Sequence, residues 1–273
     1  MTRFRYFQKI DTQMHTIARS FGELQLLKHC GVNDIISTIY LPIKAQEAGT
    51  WKDLFNWLLK HETERGRKAG INIHPALGIH PMMVPKDPKI LETSLKHLEN
   101  AIKSKKAIAI GETGLEKGTK EEFMAFKRQL EIANSYNLPV IIHTPSEQKA
   151  EITKIIMREI KKNRIDRAVI DHCSKENAAI VLQDARRDIK LGLSIQDKYL
   201  SIKEAILLYK NYSYENRFVL NSNGGNGPGD ILMMVKAIEK FEEAGINHKI
   251  IQKLCFDNAL DVFRGILSET SLL

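Results

Sequence analysis

Cysteine is scarce in this 273-residue chain: Cys30, Cys173 and Cys255 are odd in number and far apart. That excludes a disulfide framework and a CxxC zinc pattern, and leaves Cys30 and Cys255 to pack as small apolar side chains. No stretch approaches the roughly 18 apolar residues of a membrane span. The start, "MTRFRYFQKID", carries no apolar signal segment and leads straight into a strand expected at 6–12. The expectation is a cytoplasmic protein with no membrane partner and no obligate protein partner. No linker, low-complexity segment or short repeat interrupts the chain, so residues 1–273 are expected to form one domain. Acidic residues are outnumbered, leaving a net charge of +8. The excess suits a phosphate-bearing partner only loosely, because runs such as "KHLENAIKSKK" and "REIKKNRIDR" read as solvated helix faces. No basic stripe interleaved with aromatics and no zinc-finger or RNA-binding signature is present.

What is present is alternation. Apolar or β-branched runs at 6–12, 34–41, 72–80, 107–112, 139–144, 168–173, 188–195 and 217–223 read as strands. Amphipathic stretches follow each, at 20–30, 51–69, 88–103, 120–136, 147–162, 176–186, 201–212 and 230–244. In "EEFMAFKRQLEIANSYN", Phe123, Phe126, Leu130 and Ala133 recur at helical steps. The run "PVIIHT" after it is continuously apolar, as a strand covered on both faces should be. Eight strand–helix units in this length predict an α/β fold, a (β/α)8 TIM barrel, with "NHKIIQKLCFDNALDVFRGIL" as an extra C-terminal helical segment. A doubly wound open sheet is the structural alternative, but no GxGxxG follows the first strand to favour it.

The polar residues fall where a barrel does its chemistry, at the C-terminal ends of the strands. Strand one ends at Gln13 and His15 ("IDTQMHT"), strand three at His80 ("ALGIHP") and strand four at Glu112 ("AIAIGETGLE"). Strand five ends at His143, strand six at His172 ("AVIDHC"), and strand eight at Asn221 and Asn223 ("FVLNSN"). A lone histidine after an apolar run is usually structural. Four of them and a glutamate aimed at one mouth are what a divalent ion such as zinc requires. His29, His61, His97 and His248 lie on helices, and His74 opens strand three; none of these is expected to act. Asp171 and Cys173, flanking His172, are expected to point away into the barrel wall.

These motifs carry a resemblance. "GIHP", "AIGETGLE", "LPVIIHT" and "VIDHC", in this order and spacing over essentially the whole chain, resemble the TatD-related metal-dependent hydrolases. These are deoxyribonuclease-like members of the amidohydrolase superfamily, and the chain looks closest to an archaeal branch of TIM-barrel hydrolases. The resemblance implies that Glu112 bridges two metal ions and that His143 and His172 complete one site. It implies a second site from an HxH pair on strand one and an aspartate after strand eight, and places His80 near substrate. Here the sequence departs: Gln13 replaces the first histidine, and Asn223 stands at the aspartate position.

Two divalent ions about 3.5–4 Å apart repel by about 18 kcal/mol at an effective dielectric near 20, so nearby anions are required. Glu112 is the one certain carboxylate at the mouth, and the amide of Asn223 cannot take a proton. Loss of a general base costs about 10²- to 10⁴-fold in rate. The expectation is therefore one tightly held ion on Glu112, His143 and His172, with His15 as a further donor. Zinc is the first choice and magnesium or manganese the alternatives. A second ion, on His15 with the weak ligands Gln13 and Asn223, is expected to be weak or absent. Glu112 and Asn223 are the catalytic candidates; His80, Thr144, Gly224 and Gly225 are the substrate-binding ones. In "NSNGGNGPGD" the glycines either cradle a phosphate or merely let the loop turn. Ser146, Lys175 and Arg19 are secondary candidates for the mouth, and Asp11 or Glu116 for the missing carboxylate. The function this favours is hydrolysis of a phosphodiester in DNA or a nucleotide. A non-catalytic descendant that binds a ligand, and hydrolysis of an amide or lactone, are the other readings.

Overall fold

Each apolar run forms a strand because its helices cover one face and the barrel interior the other. The computed structural model describes residues 8–184, 186, 188–196, 199–225, 227, 229–264 and 267. The strands are β1 (Ile10–Met14), β2 (Asp34–Ser37), β3 (Asn72–Leu77), β4 (Ala109–Gly114), β5 (Val140–His143), β6 (Ala168–Ile170), β7 (Ile189–Ser194) and β8 (Phe218–Asn221). They lie in sequence order, each parallel to the next. β8 returns to β1 through a bridge between Gly224 and Met14, where His15 N–H donates to Gly224 O at 2.7 Å. This is the (β/α)8 barrel that the alternation predicts.

The outer helices are α1 (Phe21–His29), α2 (Gly49–Asn56), α3 (Thr63–Ala69), α4 (Pro88–Ile102), α5 (Lys120–Ser135), α6 (Lys149–Lys162), α7 (Ala178–Leu182), α8 (Ile202–Tyr212) and α9 (Met233–Glu243). A π-helical stretch, Trp57–Glu62, joins α2 to α3. The tail forms α10 (His248–Gln252) and α11 (Asn258–Phe263), joined by another, Lys253–Asp257. Local chemistry sets the starts. Ser20 with Glu23 and Ser201 with Glu204 form capping boxes on α1 and α8, and Pro88 follows the Asp87 cap of α4. Trp51, Phe55, Phe126, Phe218 and Phe241 are fully buried between helices and strands.

Strand boundaries differ from expectation where the chain turns to chemistry. The first strand runs to Met14 rather than 12, while its expected start, Tyr6 and Phe7, lies outside the described residues. β2, β3, β6 and β8 end earlier than expected, because the polar residues that follow leave the ladder and face the mouth.

Asp171 corrects another expectation: it does not enter the wall. β6 ends at Ile170, and His172 takes left-handed backbone (φ 59), so strand alternation no longer governs 171–172. Asp171 Oδ1 instead accepts from Asn221 Nδ2 at 2.8 Å, reaching past β7. Gly192 of β7 makes the passage, for a Cβ there would fall on Asp171 Oδ1 and within 3.0 Å of Asn221 Nδ2. Gly192→Ala is expected to cost about 3 kcal/mol or more in urea denaturation, from overpacking plus a broken buried hydrogen bond. Gly49→Ala, where a Cβ meets nothing within 4 Å, is expected to be neutral or slightly stabilising. Equal effects would contradict this packing.

Candidate metal centre

Glu112, in β4, lies fully buried at the centre of the mouth. Its two oxygens face different groups. Oε1 stands 3.0 Å from His143 Nδ1 and 3.2 Å from His172 Nε2. Oε2 accepts from Gln13 Nε2 at 2.8 Å, with His15 Nε2 and His80 Nε2 each 3.6 Å away. Gln13 and His15, separated in sequence by one residue, do share a side, as extended chain requires.

The ring nitrogens are set by their neighbours. His15 Nδ1 lies 3.0 Å from the Thr38 hydroxyl and 3.3 Å from its carbonyl, while Nε2 faces the amide nitrogen of Gln13, which can only donate; the ring's proton therefore sits on Nδ1 and the Nε2 lone pair faces inward. Gln13 Nε2 lies 3.4 Å from that lone pair. The one amide nitrogen therefore donates both to Glu112 and to His15, joining two acceptors that a cation would otherwise join. In His80, Nδ1 accepts from Met82 N–H at 3.2 Å, which puts the proton on Nε2. His172 has Ser194 Oγ 3.1 Å from Nδ1, and Ser194 also accepts from its backbone N–H.

Burial works against charge throughout. It pushes His15 and His172 down to about 4 and lowers His80. It also opposes the charge of Glu112, but His80, His143 and His172 around the carboxyl hold it well below the usual range. In His143 burial is outweighed by hydrogen bonds to Glu112 and to Glu116, whose Oε2 is 2.6 Å from Nε2; the ring rises to about 9.

The donor set fits a divalent ion. Imidazole nitrogen and carboxylate oxygen are what zinc takes, and His143 Nδ1 and His172 Nε2 converge on one oxygen of Glu112. His80, Glu112 and His143 offer ligand atoms all within 4.8 Å of one another. Across the mouth, Gln13 Oε1 and Asn223 Oδ1 are buried with no hydrogen-bond partner. Asn221 Oδ1, in β8, is likewise buried without a partner, its Nδ2 being held by Asp171.

A cavity of about 320 Å³ opens over this cluster, lined in part by His15, His80, Glu112, His172 and Asn223. Gly225 lines it too, and a Cβ there would come within 3.0 Å of the His15 ring. Gly224 serves the barrel closure instead: its carbonyl accepts from His15 and its N–H donates to Ser222 Oγ. Asn226 and Pro228 of the same glycine-rich loop lie outside the described residues. Thr144 is not brought into the cavity. Its buried hydroxyl donates to Asp171 O and accepts from Lys149 and Asn177, clamping the β5 and β6 ends from behind. Lys175 and Ser146 are exposed, and Arg19 pairs with Glu23. Asp11 is deeper, its Oδ1 accepting from the N–H groups of Gln13 and Ser222, with burial raising its carboxyl to about 6. His74 pairs with Asp34 at 2.8 Å, away from the mouth.

Sequence reasoning missed the aromatics. Tyr199 stacks on His172 (centroids 4.3 Å apart, 12° between planes), and Tyr40 packs on His80 at 4.6 Å. Tyr199 sits in no apolar run, so no local signal marks it; Tyr40 stands near the end of the apolar run 34–41, three residues beyond β2 itself.

Imidazoles gathered round a single carboxylate at the mouth of a (β/α)8 barrel are the arrangement of a metal-dependent hydrolase. Residues 10–216 match the family described as TatD related DNase, and the chain belongs to that family. An uncharacterised metal-dependent hydrolase of Methanocaldococcus jannaschii is 31% identical over 93% of this chain and 99% of its own length. The crystal structure of a TatD-like protein from Archaeoglobus fulgidus superposes with a TM-score of 0.77, at 31% identity over 93% of this chain and 99% of that one. A dihydroorotase from Campylobacter jejuni shares the fold, with a TM-score of 0.61 at 15% identity over 94% of this chain and 83% of that one. No helix among the described residues is long and apolar enough to cross a membrane.

The raised pKa of His143 gives a pH signature. Its folded pKa of about 9 lies above the ordinary 6.5, so its stabilising contribution is complete below 6.5 and is lost as pH rises through 9. Metal-free protein is therefore expected to lose stability between about pH 6.5 and 9. Zinc binding at pH 7 is expected to release about one proton, read by calorimetry in buffers of different ionisation enthalpy. Binding without proton release would contradict the placement of His143.

Proposed function

We propose that this protein is a phosphodiesterase acting on DNA or nucleotide esters through a single tightly held divalent ion, zinc being the first candidate. The observation that carries the reading is the amide nitrogen of Gln13, which donates to both Glu112 Oε2 and His15 Nε2. It gives the second half of the mouth a neutral filler where two neighbouring dications would need more negative charge than Glu112 supplies. Glu112, His143 and His172 would hold the ion. When bound, such an ion supplies Lewis acidity, polarising the ester and acidifying the attacking water.

The remaining work falls to the chain's own side chains. His80, with its proton on Nε2, donates towards a phosphoryl oxygen in the cavity it lines. Asn223, with Oδ1 free, orients a water by accepting its hydrogen bond but takes no proton, so turnover is slow. The stacked ring of Tyr199 and the packed ring of Tyr40 give the cavity apolar faces for a base or sugar. A neighbouring cavity of about 500 Å³ shares Met82 with the first and is lined by Lys44, Lys86 and Lys117. Glu116, Glu121 and Glu122 line it too, so its charges balance.

Restoration tests the reading. Gln13→His with Asn223→Asp is expected to raise bound zinc from one to two per chain and phosphodiesterase turnover by about 10²-fold or more. Metal uptake with flat activity on phosphodiester, lactone and amide substrates alike would replace this reading with a non-catalytic binding protein.

A further inference from the structure

His143 meets a carboxylate at each ring nitrogen, Glu112 at Nδ1 and Glu116 at Nε2. An imidazole gives a lone pair to a cation from one nitrogen only, and the other then keeps its proton. The nitrogen facing Glu112 and His172 is Nδ1, so Nε2 must carry that proton. Its acceptor, 2.6 Å away, is Glu116 Oε2.

We propose that Glu116 is the positioning carboxylate of the metal centre: it fixes the His143 ring with Nε2–H outward and Nδ1 inward, and adds the negative charge that Asn223 no longer provides. The inference rests on the Glu112–His143–His172 reading above.

The placement of Glu116 is built into the loop that carries it. Between β4 and α5, the N–H groups of Glu116, Lys117 and Gly118 all donate to one oxygen of Glu122, each at 2.9 Å. Thr119 caps α5 by accepting from Glu122 N–H at 3.2 Å. Three successive amides closing on one carboxylate give this short loop a single shape. That shape holds Glu116 over the His143 ring, with its side chain 23% exposed, between the histidine cluster and the neighbouring cavity. Its charge is thus felt at the ring with little screening. Among the described residues its ion pair is with His143, not with Lys44, Lys86 or Lys117 beside it. With two carboxylates, a dication at the centre is neutralised; with Glu112 alone, a net positive charge stays buried.

The test is zinc affinity, by competition with a chromophoric chelator, with nitrogen-15 spectra of zinc-loaded protein reporting the His143 ring. Glu116→Gln keeps an acceptor but removes the charge, and is expected to weaken zinc binding about tenfold. Glu116→Ala removes both, and is expected to weaken it about 100-fold and to expose Nε2–H to fast solvent exchange. Glu121→Gln, which lines the same cavity without touching His143, is expected to bind zinc as wild type does. Thermal melting confirms that each variant folds. Wild-type affinity in both Glu116 variants overturns this proposal alone. A wild-type protein that takes no zinc overturns the metal-centre reading and this proposal with it.

Discussion

The structure turns on a carboxylate withdrawn from bulk solvent. Glu112 is fully buried, and an ionised group there is tolerated only where hydrogen bonds and opposite charge replace its hydration. Its compensation is divided by oxygen. Oε1 faces His143 and His172, two imidazoles each anchored on the far side of the ring by Glu116 and Ser194. Oε2 faces the amide of Gln13, with His15 and His80 further off. One half of the mouth is thus equipped for a dication, and the other is filled by a neutral group that joins the same acceptors. On that side Gln13 and Asn223 each keep a buried amide oxygen with no hydrogen-bond partner.

Beneath the mouth a second layer fixes those ligands. His172 and Asn223 both sit in left-handed backbone, with φ of 59 and 44, a conformation that costs a non-glycine residue about 1–3 kcal/mol unless its surroundings hold it. For His172 the holding groups are visible. Ser194 accepts from its N–H, and the buried ammonium of Lys149 donates to its carbonyl at 2.8 Å. Thr144 ties the same segment to β5 through Asp171 O. On the β1 side, Arg65 donates to Thr16 O and Arg19 O while paired with buried Glu62, pinning the turn that follows His15. Rigid support of this kind sets the aim of the side chains that face the cavity.

Much of this was legible in the sequence because barrels advertise themselves. Eight apolar runs alternating with amphipathic stretches dictate parallel strands, and residues at strand ends then share a mouth whatever their separation along the chain. His15, His80, Glu112, His143, His172 and Asn223 come together on that logic alone. What escaped was whatever depends on backbone beyond the ladder. Asp171 turns inward because β6 has already ended and His172 is left-handed, so a two-residue period has nothing to act on. Thr144 ends behind the site because its hydroxyl finds a carbonyl and an ammonium there. Tyr40 and Tyr199 reach the cavity from loops, where spacing carries no information about direction. Glu116 was visible as a nearby carboxylate, but its grip on the far nitrogen of His143 depends on a loop shape set by Glu122.

The central claim is that the mouth holds one metal ion, because Gln13 fills the place of the other. Native mass spectrometry of protein purified without chelator and equilibrated with zinc counts ions per folded chain directly. The account predicts a population dominated by one ion, with the second adding only at large excess. Two ions bound with similar affinity would contradict it, since the neutral oxygens of Gln13 and Asn223 would then help hold a second dication as firmly as His143 and His172 hold the first.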